Sequence, residues 1–321
     1  MSQRKKLLIT GASGFIGKAL INSLKSKYSI RILTYNLFSV EILKKLFPEI
    51  SDVHNISNLN EIQWNELFHE VDTIIHCGAQ TKPLKNGIEP EQQFMKSNYE
   101  ATINLAKSAA ENGVRRFIFL SSMSVYGNMR QCAQFSENSP LKPTNAYGLS
   151  KLRAEQELMG LSEKLEVVII RPPLIYGPGA AGNFKKLFTL VNKRMPMPLG
   201  AIKNKRHFCG INNLIDFINL CIDAEQAKNQ AFLISDREAI STTDLVKKIS
   251  KALNKKNYLI PIPHQILEKT LKFIGMARLA DQLLYNIEID STKARTLLQW
   301  IPPYTLEQEL QLSVDHFLQN Q

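Results

Sequence analysis

The run Lys6-Leu7-Leu8-Ile9-Thr10 passes straight into Gly11-Ala12-Ser13-Gly14-Phe15-Ile16-Gly17, and a helical pattern over Ile16–Lys25 follows. Three glycines spaced G-x-x-G-x-x-G between a buried strand and a helix constrain the fold more than any other feature of the chain. One makes the tight turn, one lets the backbone approach a pyrophosphate, and one lets helix and strand pack closely. The helix N-terminus then offers unpaired N–H groups to the anion. Glycines at this spacing also occur in plain strand-to-helix turns, so the context decides. Here the loop opens a βαβ series, which predicts a dinucleotide site built from Gly11, Ser13, Gly14, Phe15, Ile16 and Gly17.

The series continues as short apolar runs at Ile30–Thr34, Thr73–Cys77, Phe117–Ser121 and Val167–Arg171, each bounded by Gly, Ser or Pro or by a polar stretch. Helical patterns at Glu91–Asn112 and Ala146–Leu161 lie between them, the first stopped by Asn112-Gly113. The predicted class is α/β, a doubly wound parallel-sheet Rossmann fold with a smaller, interleaved C-terminal lobe. After Arg171 the texture changes to a Pro- and Gly-rich stretch, which sets residues 1–172 as the nucleotide domain and 173–321 mainly as a substrate lobe. A strand at Ala231–Ser235 and a helix at Thr243–Leu253 predict that residues 211–255 return to the first domain.

The chain's 321 residues carry a formal charge of +11, which invites an acidic partner. The tightest basic clusters, Arg4-Lys5-Lys6, Lys185-Lys186 and Lys203–Arg206, are short and not interleaved with aromatics, which argues against nucleic acid. The four cysteines, Cys77, Cys132, Cys209 and Cys221, lack C-x-x-C spacing and read as free thiols in a reducing compartment, with no metal site. No run reaches 18 apolar residues, so the expectation is a cytoplasmic protein without membrane insertion.

Tyr147-Gly148-Leu149-Ser150-Lys151 places a phenol and an ammonium four residues apart on one helix face. Alone this spacing means little, since Tyr126 and Arg130 repeat it. Its company gives it weight: Ser121-Ser122-Met123-Ser124-Val125-Tyr126-Gly127 follows the Phe117–Ser121 strand, and doubly wound sheets place their chemistry at the carboxyl ends of strands. A phenol of pKa about 10 is a poor base at neutral pH, and a nearby ammonium together with a nicotinamide cation is expected to favour its phenolate by roughly one to three units.

The glycine spacing, Tyr147-x-x-x-Lys151 and Ser121–Gly127 together resemble the extended short-chain dehydrogenase/reductase family. His76-Cys77-Gly78-Ala79, Asn98-Tyr99-Glu100-Ala101-Thr102 and Arg171-Pro172-Pro173-Leu174-Ile175-Tyr176-Gly177-Pro178 extend the likeness to its nucleotide-sugar epimerase, dehydratase and reductase branch. The resemblance implies catalysis by Ser122, Tyr147 and Lys151. It implies NAD or NADP held also by Tyr35, Asn36, Asn55, Ile56, Cys77, Gly78, Ala79 and Asn98, besides Tyr147 and Lys151. Neither charge that separates the two cofactors stands at Tyr35-Asn36-Leu37, and Asn55 occupies the family's acidic adenine position, so the choice stays open.

For the substrate, the resemblance implies a UDP-sugar held by Ser124, Asn183, Leu199, Arg206 and, by position only, Arg278. It also implies a homodimer formed through the helices of residues 91–112 and 146–161. Pro173-Leu174 stands where epimerases of the branch carry Asn, which ranks a UDP-4-keto-6-deoxy-N-acetylhexosamine reductase first and a 4-epimerase of UDP-glucose or UDP-N-acetylglucosamine second. A non-catalytic cofactor- or RNA-binding derivative is the reading from another class.

Overall fold

The computed structural model describes residues 4–35, 37–56, 64–84, 87–127 and 134–320, with the side chain of Arg278 outside that set. Seven strands form one parallel sheet: β1 (Lys6–Thr10), β2 (Ser29–Thr34), β3 (Val53–Asn55), β4 (Val71–His76), β5 (Arg116–Leu120), β6 (Glu166–Arg171) and β9 (Gln230–Leu233), in the order β3-β2-β1-β4-β5-β6-β9. Parallel strands covered on both faces need apolar residues at successive positions, and these have them. Leu7, Ile9, Ile118, Leu120, Val168 and Ile170 belong to one core, shared with α1 (Phe15–Leu24), α8 (Ile211–Asp223) and α12 (Thr292–Leu298). Their neighbours Leu8, Phe117, Phe119, Val167 and Ile169 belong to the opposite core, shared with α3 (Trp64–Phe68), α5 (Ala101–Glu111) and α6 (Ala146–Met159).

The predicted strands and helices appear within a few residues of their expected bounds, and three departures matter. Strand β3 was not anticipated, because Val53-His54-Asn55 carries no apolar run and lies half-buried at the sheet edge. The helix expected over 91–112 is three pieces: α4 (Pro90–Phe94), a π-helical stretch at Met95–Glu100, and α5. Within residues 211–255, α8 packs in the first core and β9 pairs with β6, whereas α9 (Thr242–Ala252) packs elsewhere. Its face of Leu245, Val246 and Ile249 joins a second apolar core with α7 (Asn183–Asn192), α10 (His264–Phe273), α11 (Ala277–Leu284) and α13 (Leu306–Gln319).

A two-stranded sheet of β7 (Ile175–Tyr176) and β8 (Cys209–Gly210) lies where the chain passes between these cores. The order of the large sheet reverses between β1 and β4, so the crevice at their carboxyl ends faces the lobe that carries the second core. None of the described helices is long and apolar enough to cross a membrane.

Candidate active site

Gly11 takes φ +67°, and a Cβ there would lie 2.6 Å from the Gly78 nitrogen, so the loop after β1 touches the turn after β4 backbone to backbone. A Cβ on Gly17 would meet the Gly11 carbonyl and lie 2.6 Å from Ala12 Cα. Gly14 is the N-cap of α1, where no side chain caps the helix and no acid stands in the first turn. The first N–H groups of α1 are thus available to an anion, as a pyrophosphate cradle requires. Ser13 is half-buried on this loop, and Phe15 and Ile16 pack partly against the core below. The 177–182 loop of the second lobe comes over it, since a Cβ on Gly179 would lie 4.0 Å from the Phe15 ring.

His76, at the end of β4, organises the floor of the crevice. The Thr102 hydroxyl donates to the Asn98 carbonyl at 2.7 Å, so its oxygen accepts from His76 Nε2–H at 2.9 Å. Nδ1 then accepts from the Thr10 hydroxyl at 2.7 Å, and the Thr10 oxygen accepts from Gly78 N–H at 3.2 Å. Burial, reinforced by the Lys151 charge, pushes the imidazole down to about 3, so it stays neutral and holds the Gly11–Gly78 approach. Burial likewise pushes the Cys77 thiol up to about 12, which removes it as a nucleophile. Ala79 is exposed in the same turn.

Asn98 is fully buried in the π-helical stretch. Its Oδ1 accepts from Gln80 N–H at 2.7 Å and its Nδ2 donates to Gln80 O at 2.9 Å and Ser150 Oγ at 3.3 Å. Expected as a cofactor ligand, it is instead spent on the turn after β4 and on α6, and any effect on a cofactor passes through them.

Helix α6 begins on Asn145, whose Oδ1 accepts from Gly148 N–H at 2.8 Å. Tyr147 stands in its first turn, and the hydroxyl of Ser122, the N-cap of a short 3₁₀ turn at Met123–Tyr126, lies near enough to act on the Tyr147 phenol. Ser122 Oγ also accepts from Ser124 N–H and donates to Ser124 Oγ, both at 3.1 Å. Burial holds the Tyr147 phenol above its ordinary pKa, and the nearby Ser122 hydroxyl only partly offsets it.

The Lys151 ammonium does not act on Tyr147 here, contrary to the sequence expectation. It donates to Leu120 O, at the end of β5, at 2.9 Å and lies 4.5 Å over the Phe119 ring. Burial pushes Lys151 down to about 8.

Beneath this triad lies an ion pair that the sequence reading did not single out. Arg171 Nη2 contacts Glu155 Oε2 at 2.6 Å, Arg171 Nη1 donates to Tyr126 OH at 2.9 Å, and Ser121 Oγ donates to Glu155. All four residues are buried, so β5, β6 and α6 are tied together behind Ser122. The available signal was Glu155, four residues past Lys151 on the same helix.

At the adenine end, Tyr35 is exposed after β2, and Asn36 lies outside the described residues. Asn55 Oδ1 is buried with no partner among the described residues, at the carboxyl end of β3. An orphaned acceptor here suits the exocyclic amine of a purine. Ile56 does not line this edge as expected; its N–H bonds Thr34 O at 2.8 Å and its side chain is in the core. The glycine cradle and this orphan fit a dinucleotide.

In the second lobe α11 gathers the substrate candidates. Asn183 Nδ2 donates to Gln282 Oε1 at 2.8 Å, and Arg206 Nη1 donates to Tyr285 O at 2.9 Å and Asp281 O at 3.3 Å. Arg206 is buried, its Nε has no partner, and burial lowers it to about 10. No carboxylate pairs with it among the described residues. A buried guanidinium without an anion suits a phosphate. Arg278 also lies on α11. Leu199, expected against a base, is instead packed in the second core, with its carbonyl accepting from Thr243 Oγ1.

A parallel sheet with its switch point at a glycine-cradled helix N-terminus is the architecture of a dinucleotide-binding fold, and Ser122, Tyr147 and Lys151 lie near the end of the next strand. The chain belongs to the NAD dependent epimerase/dehydratase family, whose model matches residues 7–235. It is 36% identical over 98% of its length to a UDP-glucose 4-epimerase of Vibrio cholerae, covering 96% of that protein. It is 25% identical over 97% of its length to an N-acetyl-alpha-D-glucosaminyl-diphospho-ditrans,octacis-undecaprenol 4-epimerase of Escherichia coli O157:H7, covering 94% of it. Among solved structures, a UDP-glucuronic acid 4-epimerase of Bacillus cereus shares the fold with a TM-score of 0.77 at 21% identity, covering 98% of this chain and 99% of that one.

Proposed function

We propose that the protein inverts C4 of a sugar carried on a diphosphate, most simply a UDP-hexose, with NAD retained through the cycle. The reading rests on the 36% likeness over nearly the whole chain to a 4-epimerase, together with the glycine cradle and the nearness of the Ser122 hydroxyl to the Tyr147 phenol. NAD, when bound, supplies the hydride acceptor and then the donor.

Tyr147 takes the proton from O4 as the C4 hydride leaves, and returns it when hydride comes back to the opposite face of the ketone. Ser122 holds the same oxygen through its hydroxyl. Because burial raises the Tyr147 phenol in this arrangement, its use as a base requires the ammonium of Lys151 to turn from Leu120 O toward the crevice, which a ribose hydroxyl in competition with that carbonyl would favour. Arg206 and Asn183 grip the diphosphate, the group common to a sugar nucleotide and a polyprenyl diphosphate sugar.

The second reading, reduction of a 4-keto sugar, is favoured by Pro173-Leu174 after β6, where Leu174 is exposed. Incubation with UDP-glucose and UDP-N-acetylglucosamine, and in parallel with a UDP-4-keto-6-deoxy sugar and reduced nicotinamide cofactor, read by NMR and by nicotinamide absorbance, separates them. Appearance of the 4-epimer with no net absorbance change is expected. Consumption of reduced cofactor matched to a 4-keto sugar, with no epimer, would replace the first reading by the second.

A further inference from the structure

The cations of this chain are concentrated. Residues 185–206 hold seven Lys or Arg and no acid, and residues 245–280 hold eight against Glu268 alone. Together they carry +14 against +11 for the whole chain, so the remainder is net −3. The two stretches are joined in the fold: Met197 N–H bonds Tyr258 O at 2.9 Å, Ile260 N–H bonds Met197 O at 2.9 Å, and Gly200 N–H bonds Ile260 O at 3.0 Å. The helices they contribute, α7, α9, α10 and α11, share the second core.

The second of these stretches exposes large apolar side chains: Tyr258, Ile260, Ile266, Phe273, Ile274 and Met276. Phe273 is 92% exposed. Helix α10 turns Leu267 and Leu271 inward, while Ile266 and Phe273 stand two turns apart on the outward face with Lys269 between them. Lys247, Lys248 and Lys272 are paired with Asp244, Glu307 and Glu268. Exposed Lys186, Lys193, Arg194, Lys256 and Lys269 have no carboxylate partner among the described residues. An apolar patch rimmed by unpaired cations is a surface that water serves poorly.

We propose that this face docks on an anionic lipid bilayer, with Phe273, Ile274 and Ile266 entering the headgroup boundary and the lysines meeting the lipid phosphates. A bilayer supplies both halves of the complement, an apolar interior and a negative surface. A second copy of the chain, brought face to face by a two-fold axis, would set the unpaired lysines of this face against their own copies. Nucleic acid would match the charge and leave Ile266, Ile274 and Met276 with nothing to bury against.

The test is flotation of the full-length protein with phosphatidylglycerol/phosphatidylcholine vesicles and with phosphatidylcholine alone. Binding is expected on the anionic vesicles only, and raised salt weakens it. Lys256→Gln with Lys269→Gln is expected to weaken it about 25-fold, roughly fivefold for each lysine. Phe273→Ser with Ile274→Ser is expected to weaken it at least about tenfold at low salt. All four side chains are exposed, so melting temperature and NAD affinity are expected to stay at the wild-type values, and a failure here leaves the catalytic reading untouched. Equal binding to neutral vesicles, wild-type binding by both variants, lipid-free dimers abolished by the same substitutions, or competition by RNA would each overturn the proposal.

Discussion

Tyr147 and Lys151 differ in what they do for stability. The Tyr147 hydroxyl makes no hydrogen bond within the folded chain among the described residues, so Tyr147→Phe should lower turnover by about 10²–10⁴-fold while leaving melting temperature and NAD affinity near wild type. Turnover within tenfold of wild type would remove Tyr147 from the acid–base role. Lys151 is a buried ammonium whose pKa falls from 10.5 to about 8, a cost of about 3 kcal/mol at pH 7. Its hydrogen bond to Leu120 O returns about 1.5–3 kcal/mol. Lys151→Met keeps the length of the side chain and drops the charge, so the variant should be inactive yet melt no lower than wild type. The pH dependence gives the sign. Between pH about 8 and 10.5 the unfolded chain keeps a proton that folded Lys151 has released, so wild-type stability gains on the variant as pH rises through that window. Urea titrations of both proteins at pH 7.5 and 10 measure the difference.

Helix α1 and its loop set up a graded test of the cradle. Gly17→Ala puts a methyl into the Gly11 carbonyl and Ala12, and α1 cannot move away without losing its packing on β1. A cost of about 1–3 kcal/mol and a marked loss of NAD affinity are expected. Gly14 has φ −77° and ψ 175°, and a Cβ there meets only the Gly11 carbonyl at 3.1 Å, so Gly14→Ala should be the milder change. Calorimetric melts with NAD titrations would reverse this account if Gly14→Ala proved the worse.

At this scale the elements divide by how local their causes are. The central strands were legible because burial on both faces demands an apolar run. Strand β3 was not, since an edge strand of Val53-His54-Asn55 needs only backbone partners. The 91–112 helix was legible by period, but its π-helical stretch accompanies the inward turn of Asn98 toward Gln80, a contact 18 residues back in sequence. Ser122, Tyr147 and Lys151 were legible as a motif. The direction of the Lys151 ammonium and the burial of Arg206 without a carboxylate depend on carbonyls from other elements.

The two cores are joined by a buried acidic seam at the start of α8. Asp236 accepts from Gly210 N–H at 2.8 Å, Asn213 Nδ2 at 2.7 Å and Tyr176 OH at 2.9 Å. Glu309, from α13, accepts from Asn212 N–H at 2.9 Å and Asn212 Nδ2 at 3.1 Å. The helix N-terminus favours both carboxylates. Burial opposes them, and the Asp236 charge opposes Glu309, whose pKa rises from 4.5 to about 7. Between those values the folded chain holds a proton on Glu309 that the unfolded chain has lost, so the stability this group contributes is full below pH 4.5 and is lost as pH climbs through about 7. The loss amounts to about 3 kcal/mol, set by the shift of the carboxyl. Asp236 is also raised by burial and adds to the same trend. Glu309→Gln keeps an oxygen for Asn212 N–H and carries no charge to titrate, so its stability relative to wild type should rise between pH 5 and pH 7.5. Since Glu309 fastens the last helix to α8, a wild-type stability that tracks the variant across that interval would show the seam to be ionised throughout and held by the helix terminus alone.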